Sequence, residues 1–164
     1  MYNRITDEGD GGETSKMVLR LHDGLEAESV CIPMGRGRYT LCVSSQVGCK
    51  MGCLFCMTGK QGFQGNLSSG EILNQIRSIP EWEKITNVVY MGMGEPLDNL
   101  DEVLKSLEIL TAPWAYAWSP RRITVSTIGI TPAMLKFLEK SEAHLAVSLH
   151  SPFDEERRQL MPIQ

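Results

Sequence analysis

Apolar and polar residues alternate from Met17 to His22 and again from Ala27 to Ile32, with Asp23-Gly24 between the two runs. Period-two alternation on both sides of a turn dipeptide predicts a β-hairpin. Pro33-Met34-Gly35-Arg36-Gly37 then breaks the pattern as a loop. Upstream, Ile5 to Lys16 is acidic and glycine-rich, so residues 1–16 are expected to form a disordered tail. Thr40 to Ser44 reads as a short strand, and the stretch after it has neither period. Ser68 or Ser69 is placed as an N-cap with Glu71 in the first turn, opening a helix with Ile72, Leu73 and Ile76 on one face. That helix ends before Pro80.

Three more strand–helix pairs follow. Asn87 to Met91 is a buried strand, and Leu100 to Leu110 is a helix with Val103, Leu104, Leu107 and Leu110 at helical spacing. Ile123 to Thr127 is the next strand, and Pro132 sits in the first turn of a helix expected to turn Met134, Leu135 and Leu138 inward. His144 to His150 is the fourth core strand, and another helix starts at Asp154. A repeating strand–loop–helix unit predicts an α/β fold with a parallel sheet, either open or part of a barrel. Domain organisation follows as a tail over 1–16, a β-hairpin extension over 17–39, and a unit of about four βα repeats over 40–164. A sheet of this kind that stops at Gln164 has an exposed edge and an uncovered face, so the chain is expected to be a fragment, truncated at its C-terminus.

Composition narrows the function classes. A chain of 164 residues is of single-domain size and buries a real core. A net charge of −4 argues against a nonspecific nucleic-acid binder, but leaves RNA open as a substrate. Arg36, Arg38, Lys50, Lys60 and the pairs Arg121-Arg122 and Arg157-Arg158 form either a local basic rim or an ordinary solvated surface. No apolar run approaches the roughly 20 residues of a membrane helix, and the N-terminus lacks the apolar core of a signal peptide. A cytoplasmic location is the expectation, with cysteines kept reduced and available as ligands or catalytic groups.

Ligand sites in parallel α/β proteins lie at the carboxyl ends of the strands. Four unusual loops fall there. The first holds Cys49, Cys53 and Cys56, spaced C-x-x-x-C-x-x-C among glycines. Structural zinc takes four ligands, commonly in pairs, whereas a 4Fe–4S cluster held by three thiolates leaves one iron open. The cluster is the favoured reading, with S-adenosylmethionine as the ligand of the open iron. Phe55 is either a core aromatic or a ring beside that ligand. The second loop, Gly92-Met93-Gly94-Glu95-Pro96, is either a tight turn or a close backbone approach with Glu95 pairing to an ammonium group. Ser126 and Ser148, at the third and fourth strand ends, either satisfy backbone groups or bind ribose or carboxylate. His150 is core, ligand or base. Cys42 is a buried small hydrophobe or a thiol placed for covalent chemistry. Glu28 by itself reads as an exposed strand carboxylate.

Several long motifs occur together in this order: Glu28-Ser29-Val30-Cys31-Ile32-Pro33, Thr40 to Cys49, Cys53 to Phe63, Asn87 to Leu97, Arg122 to Thr127, and Ser148-Leu149-His150. On these residues the chain resembles the radical S-adenosylmethionine dual-specificity ribosomal and transfer RNA adenine-C2 methyltransferases (RlmN type). The C8-methylating Cfr-type enzymes are close relatives. The resemblance implies a partial radical-SAM (β/α) barrel, with a 4Fe–4S cluster on Cys49, Cys53 and Cys56. It places Gly94, Glu95, Ser126, Ser148, Leu149 and His150 against S-adenosylmethionine. Glu28 matches the family's proton acceptor, and Cys42 matches the cysteine that resolves a protein–RNA intermediate through a transient disulfide. Implied partners are 23S rRNA and tRNA, with an electron donor such as flavodoxin and a monomeric state. In that chemistry one S-adenosylmethionine methylates a second cysteine and another supplies the radical that activates the methyl group for addition to C2. The methyl-accepting cysteine lies in the C-terminal part of the family and the RNA-binding accessory domain in its N-terminal part; both are missing here, so this chain alone is expected not to transfer methyl groups. C8 methylation, a different radical-SAM reaction such as glycyl-radical activation, and a non-catalytic iron–sulfur or zinc module are the alternatives.

Overall fold

The computed structural model describes residues 2–9 and 12–163, with side chains from residue 14 onward. A seven-stranded sheet forms its centre, in the order β1-β2-β3-β4-β7-β8-β9. The first three strands are β1 (Tyr2–Gly9), β2 (Gly12–Arg20) and β3 (Glu26–Pro33), and both pairings are antiparallel. The expected hairpin is therefore present as β2–β3, with its turn at Asp23-Gly24, where Gly24 takes φ +89°. The disordered tail is not. Residues 2–9 and 12–16 are strand, with Tyr2 opposite Leu19 and Ser15 opposite Cys31. Ladder bonds are made by the backbone whatever the side chains, and β3 offers β2 an open edge that β2 in turn offers β1. Acidic and glycine-rich composition disfavours a strand without preventing that templating.

β4 (Tyr39–Cys42) pairs antiparallel with β3 and parallel with β7 (Ile85–Tyr90). β8 (Ile123–Thr127) and β9 (His144–Val147) continue the parallel part. The intervening helices are α2 (Ser69–Arg77), α3 (Leu100–Thr111) and α4 (Thr131–Lys140), with α5 (Asp154–Leu160) following β9. α2 starts on a capping box in which Ser68 and Glu71 satisfy each other's backbone N–H. A short α1 (Met57–Lys60) and a two-stranded ribbon of β5 (Gln46–Val47) and β6 (Gly65–Asn66) lie within the stretch that has no sequence period.

Strand register sorts the side chains onto two faces. Cys31, Leu41, Val88 and Ile123 form a buried row across four strands, packed with Ile72, Ile76, Val103, Leu107 and Phe137 from the helices. The alternate row is Val30, Cys42, Val89, Thr124 and His144, on the face that the helices leave open. Side chains alternate with period two along a strand. Glu28 on β3 and Ser126 on β8 are therefore on the same open face as Cys42, nearer the carboxyl ends of the parallel strands. The inward side of α4 differs from the expectation: Phe137 is fully buried, while Leu135 and Leu138 are 56% exposed. With 3.6 residues per turn, Ala133, Met134 and Phe137 share one stripe and Leu135 and Leu138 fall outside it. Among the described residues no strand pairs with the far edge of β9.

Candidate functional site

The cysteine loop leaves the end of β4 through a segment fastened by buried amides. The Ser44 N–H donates to Gln75 Oε1 and the Ser44 carbonyl accepts from Gln75 Nε2, both at 2.8 Å. Asn99 Nδ2 donates to the carbonyls of Ser45 and Leu67, also at 2.8 Å. Just before Cys49, Gly48 has φ +72°, and a Cβ there would lie 1.7 Å from the Gly62 carbonyl oxygen. Only glycine fits this turn. The Cys56 N–H donates to the Cys53 carbonyl at 3.0 Å, and α1 begins directly after Cys56. The loop is then tied to α5, since the Leu54 N–H donates to the Leu160 carbonyl and Met51 and Cys53 pack with Ile128 and Met161.

Those contacts bring Cys49, Cys53 and Cys56 to the wall of one cavity of about 310 Å³. Its other walls are Phe55, the turn from Met91 to Pro96, the β8 end at Ser126, Thr127 and Ile128, and Ser148 and Met161. Burial pushes the Cys49 and Cys53 thiols up, and neighbouring thiols in the loop push each further in the same direction. Structural zinc takes four ligands, whereas three thiolates on a 4Fe–4S cluster leave one iron open, so a set of three cysteines fits a cluster.

The opposite wall is a turn packed tightly on the segment that follows β4. A Cβ on Gly92 would lie 2.7 Å from Ser44 Oγ and 2.8 Å from the Val43 carbonyl, and one on Gly94, at φ +96°, would lie 2.5 Å from Gln46 Cβ. Glu95 is 3% exposed. Its Oε1 accepts from Thr127 Oγ1 at 2.6 Å and the Leu97 N–H at 3.0 Å, and its Oε2 accepts from the Ile128 N–H at 3.0 Å. Burial pushes its carboxyl up, and no lysine or arginine forms an ion pair with it among the described residues. Oε2 keeps one acceptor position free, and a buried carboxylate without a cation favours a positively charged ligand group.

The remaining sequence-predicted residues, Leu149, His150, Glu28 and Cys42, are not among those that line this cavity. His150 lies in the left-handed region, φ +56°, with its ring 4.3 Å from that of Phe55, which does line the cavity. Leu149 is exposed, and its carbonyl accepts from Arg157 Nε at 3.2 Å. The same guanidinium donates through Nη2 to the carbonyls of Ile128 and Ser148, so Arg157 gathers the β8 and β9 ends. Glu28 lines a separate cavity of about 560 Å³ beside Val47, Gln61, Gln64 and Met93, and pairs with Lys16 Nζ at 2.7 Å. Cys42 lines neither cavity; burial pushes its thiol up against a backbone hydrogen bond from Met91. The sequence reading passed over Gln46, Gln75 and Asn99, and took Arg157 only as part of a basic rim or a solvated surface. Gln75 had a signal, as a polar residue on the inward stripe between Leu73 and Ile76; the others had none.

Three thiols with one wall of glycines and a buried, cation-free carboxylate fit an iron–sulfur cluster and the amino-acid end of S-adenosylmethionine. The chain belongs to the radical SAM superfamily, whose family model matches residues 43–164. Its cofactors are accordingly a 4Fe–4S cluster and S-adenosylmethionine. Among curated proteins it is similar to the probable dual-specificity RNA methyltransferase RlmN of Parabacteroides distasonis, with 64% identity over 92% of this chain and 44% of the relative. The corresponding protein of Porphyromonas gingivalis W83 is 65% identical over 91% of this chain and 43% of its own length. The chain thus spans less than half the length of these relatives. A crystal structure of a radical SAM methyltransferase from Sphaerobacter thermophilus superposes with a TM-score of 0.87 at 38% identity, over 98% of this chain and 49% of that one. No helix among the described residues is long and apolar enough to cross a membrane.

Proposed function

We propose that this chain is the cofactor-binding half of an RNA adenine-C2 methyltransferase, acting on 23S rRNA and tRNA. The observation that carries it is convergence: the three thiols, Glu95, Ser126 and Ser148 share one cavity, while Glu28 and Cys42 stand on the open sheet face beneath it. When bound, the cluster supplies the electron that cleaves S-adenosylmethionine, and an external donor such as a flavodoxin would renew that electron. The chain's own residues bind, orient and move protons. Glu95 would take the ligand's ammonium group on its free Oε2 position, and the Gly94 backbone, held in its positive-φ turn against Gln46, would contact the amino acid. Ser126 and Ser148 would hold carboxylate or ribose oxygens, with His150 and Leu149 at the rim. On the open face Glu28, held by Lys16, would accept the proton lost from C2. Cys42 would supply the thiolate that attacks the sulfur of the thioether joining the complete enzyme's methyl-carrying cysteine to the adenine, so that the S–S bond forms as the C–S bond breaks and the carbon that leaves with the electron pair takes a proton. Substrate adenine would have to be splayed out of its stack to reach this face.

The test separates the two halves of the reading. The chain is reconstituted anaerobically with iron and sulfide, given dithionite and S-adenosylmethionine, and assayed for 5′-deoxyadenosine and for 2-methyladenosine in added RNA. Formation of 5′-deoxyadenosine without methylated RNA is expected, and methylation is expected only in a full-length relative carrying these residues. Loss of methylation in that protein on Cys42→Ala, with 5′-deoxyadenosine still formed, supports the assigned role; unchanged methylation refutes it.

A further inference from the structure

The cavity does not explain Gln46. This side chain is fully buried, is not among the residues that line the cavity, and makes three hydrogen bonds through its oxygen and both amide N–H groups. Oε1 accepts from the Glu95 N–H at 2.9 Å. Nε2 donates to Asp98 Oδ2 at 2.7 Å and to Asn66 Oδ1 at 2.8 Å. The orientation of the amide follows from these partners, because a flipped amide would set its oxygen against two acceptors and its N–H₂ against a donor. Asp98 Oδ2 also receives Lys50 Nζ at 2.9 Å, and Lys50, the residue after Cys49, lies over the Phe63 ring at 4.3 Å. Gly94, at φ +96°, packs directly on the Gln46 side chain. One continuous polar path therefore runs from the cysteine loop through Lys50, Asp98 and Gln46 to the backbone of Glu95.

We propose that Gln46 is a positioning residue that sets the Gly94–Glu95 wall at its working distance from the cysteine loop. It acts through Glu95 and does not touch the ligand. This rests on the reading of the cavity as a cluster and S-adenosylmethionine site. The physical reason is rigidity: a buried, fully satisfied polar network holds one geometry, and any shift leaves a buried donor or acceptor unmet. Apolar packing alone would let the turn and the loop slide past each other.

Gln46→Glu keeps the shape and replaces Nε2 by an oxygen facing Asp98 across 2.7 Å. Gln46→Glu with Asp98→Asn returns a donor to that contact and conserves the network's charge; the Asn66 amide turns to donate to the new carboxylate, and the half-exposed Lys50 Nζ passes from Oδ2 to the amide oxygen of residue 98. The three chains are reconstituted anaerobically and measured for iron and sulfide content, for S-adenosylmethionine binding by equilibrium dialysis, and for the change in the reduced cluster's EPR signal on adding S-adenosylmethionine. Circular dichroism reports the fold. The single variant is expected to keep its iron and sulfide while binding S-adenosylmethionine about tenfold more weakly, the scale of one buried charge-assisted contact. Its EPR signal should stay unchanged at a concentration that saturates the parent. The double variant should return to within about threefold of the parent. Parent-like binding by the single variant overturns the proposal, as does a folded double variant that stays defective; the latter comparison decides even when the single variant fails to fold. If the parent itself does not bind S-adenosylmethionine, the cofactor reading falls, and this proposal with it.

Discussion

Replacing Gln75 by leucine tests whether the strand end that launches the cysteine loop is held by one side chain. The Gln75 amide makes two 2.8 Å bonds to the backbone N–H and carbonyl of Ser44, itself fully buried. Leucine has nearly the same volume and leaves both backbone groups unmet. Each buried orphan costs about 1–3 kcal/mol, so the gross loss is about 2–6 kcal/mol. Burying leucine returns about 2 kcal/mol, which sets the expected net loss near 2 kcal/mol. For a domain of this size that lowers the melting temperature by about 4–8 °C. Urea unfolding of the metal-free chain measures it, with the exposed neighbour Asn74→Leu as a control expected to stay within about 0.5 kcal/mol. Iron content after reconstitution should fall in parallel, because a frayed Ser44 no longer sets the start of the loop. A Gln75→Leu chain indistinguishable from the control would mean that Ser44 finds other partners, and the reasoning fails.

Gly48→Ala and Gly52→Ala should diverge although both glycines have positive φ. The methyl group added at Gly48 would meet the Gly62 carbonyl oxygen at 1.7 Å, while one added at Gly52 has nothing within 4 Å. The second change should cost about 1 kcal/mol of backbone strain and keep most of the iron, and the first should abolish cluster retention; equal iron content in both would contradict the geometry. For Glu95, burial raises the folded carboxyl above its ordinary value of 4.5. Its contribution to stability is therefore fullest below 4.5 and is lost as pH rises through the raised value. Chemical unfolding of the parent and of Glu95→Gln from about pH 4 to 8 should show a gap that changes with pH in that direction, and a constant gap would exclude it. Arg157→Gln removes the guanidinium that joins the carbonyls of Ile128, Ser148 and Leu149. Weaker S-adenosylmethionine binding, by about threefold or more, should follow with iron content unchanged, and dialysis with the parent's affinity would show that the β9 end is held elsewhere.

The predicted helices and parallel strands return in the structure with end shifts of up to three residues, the largest at β9, which ends at Val147 rather than His150, because their signals are local. Ser68 with Glu71 caps α2, Pro132 opens α4, and the leucines of α3 repeat at helical spacing. The expected tail became β1 and part of β2 since a strand edge, not composition, decides whether a polar segment pairs. Leu135 and Leu138 were misassigned because apolar character says nothing about where a helix's inward stripe begins, and Phe137 took that place.

The same division runs through the site. The spacing of Cys49, Cys53 and Cys56 and the Gly94-Glu95 turn were legible as residue types in order, since three cysteines in eight residues need no distant partner to be noticed. What the sequence by itself determined was therefore the order and spacing of the three cysteines and the strand ends that bear the loops. Only the tertiary structure decided how those ends are held together. Gln46 meets Glu95 across 49 residues, Asn99 reaches Ser45 across 54, and Arg157 reaches back 29 to Ile128. Such long-range hydrogen bonds leave no periodic trace, because each depends on two segments that become neighbours only when the sheet forms.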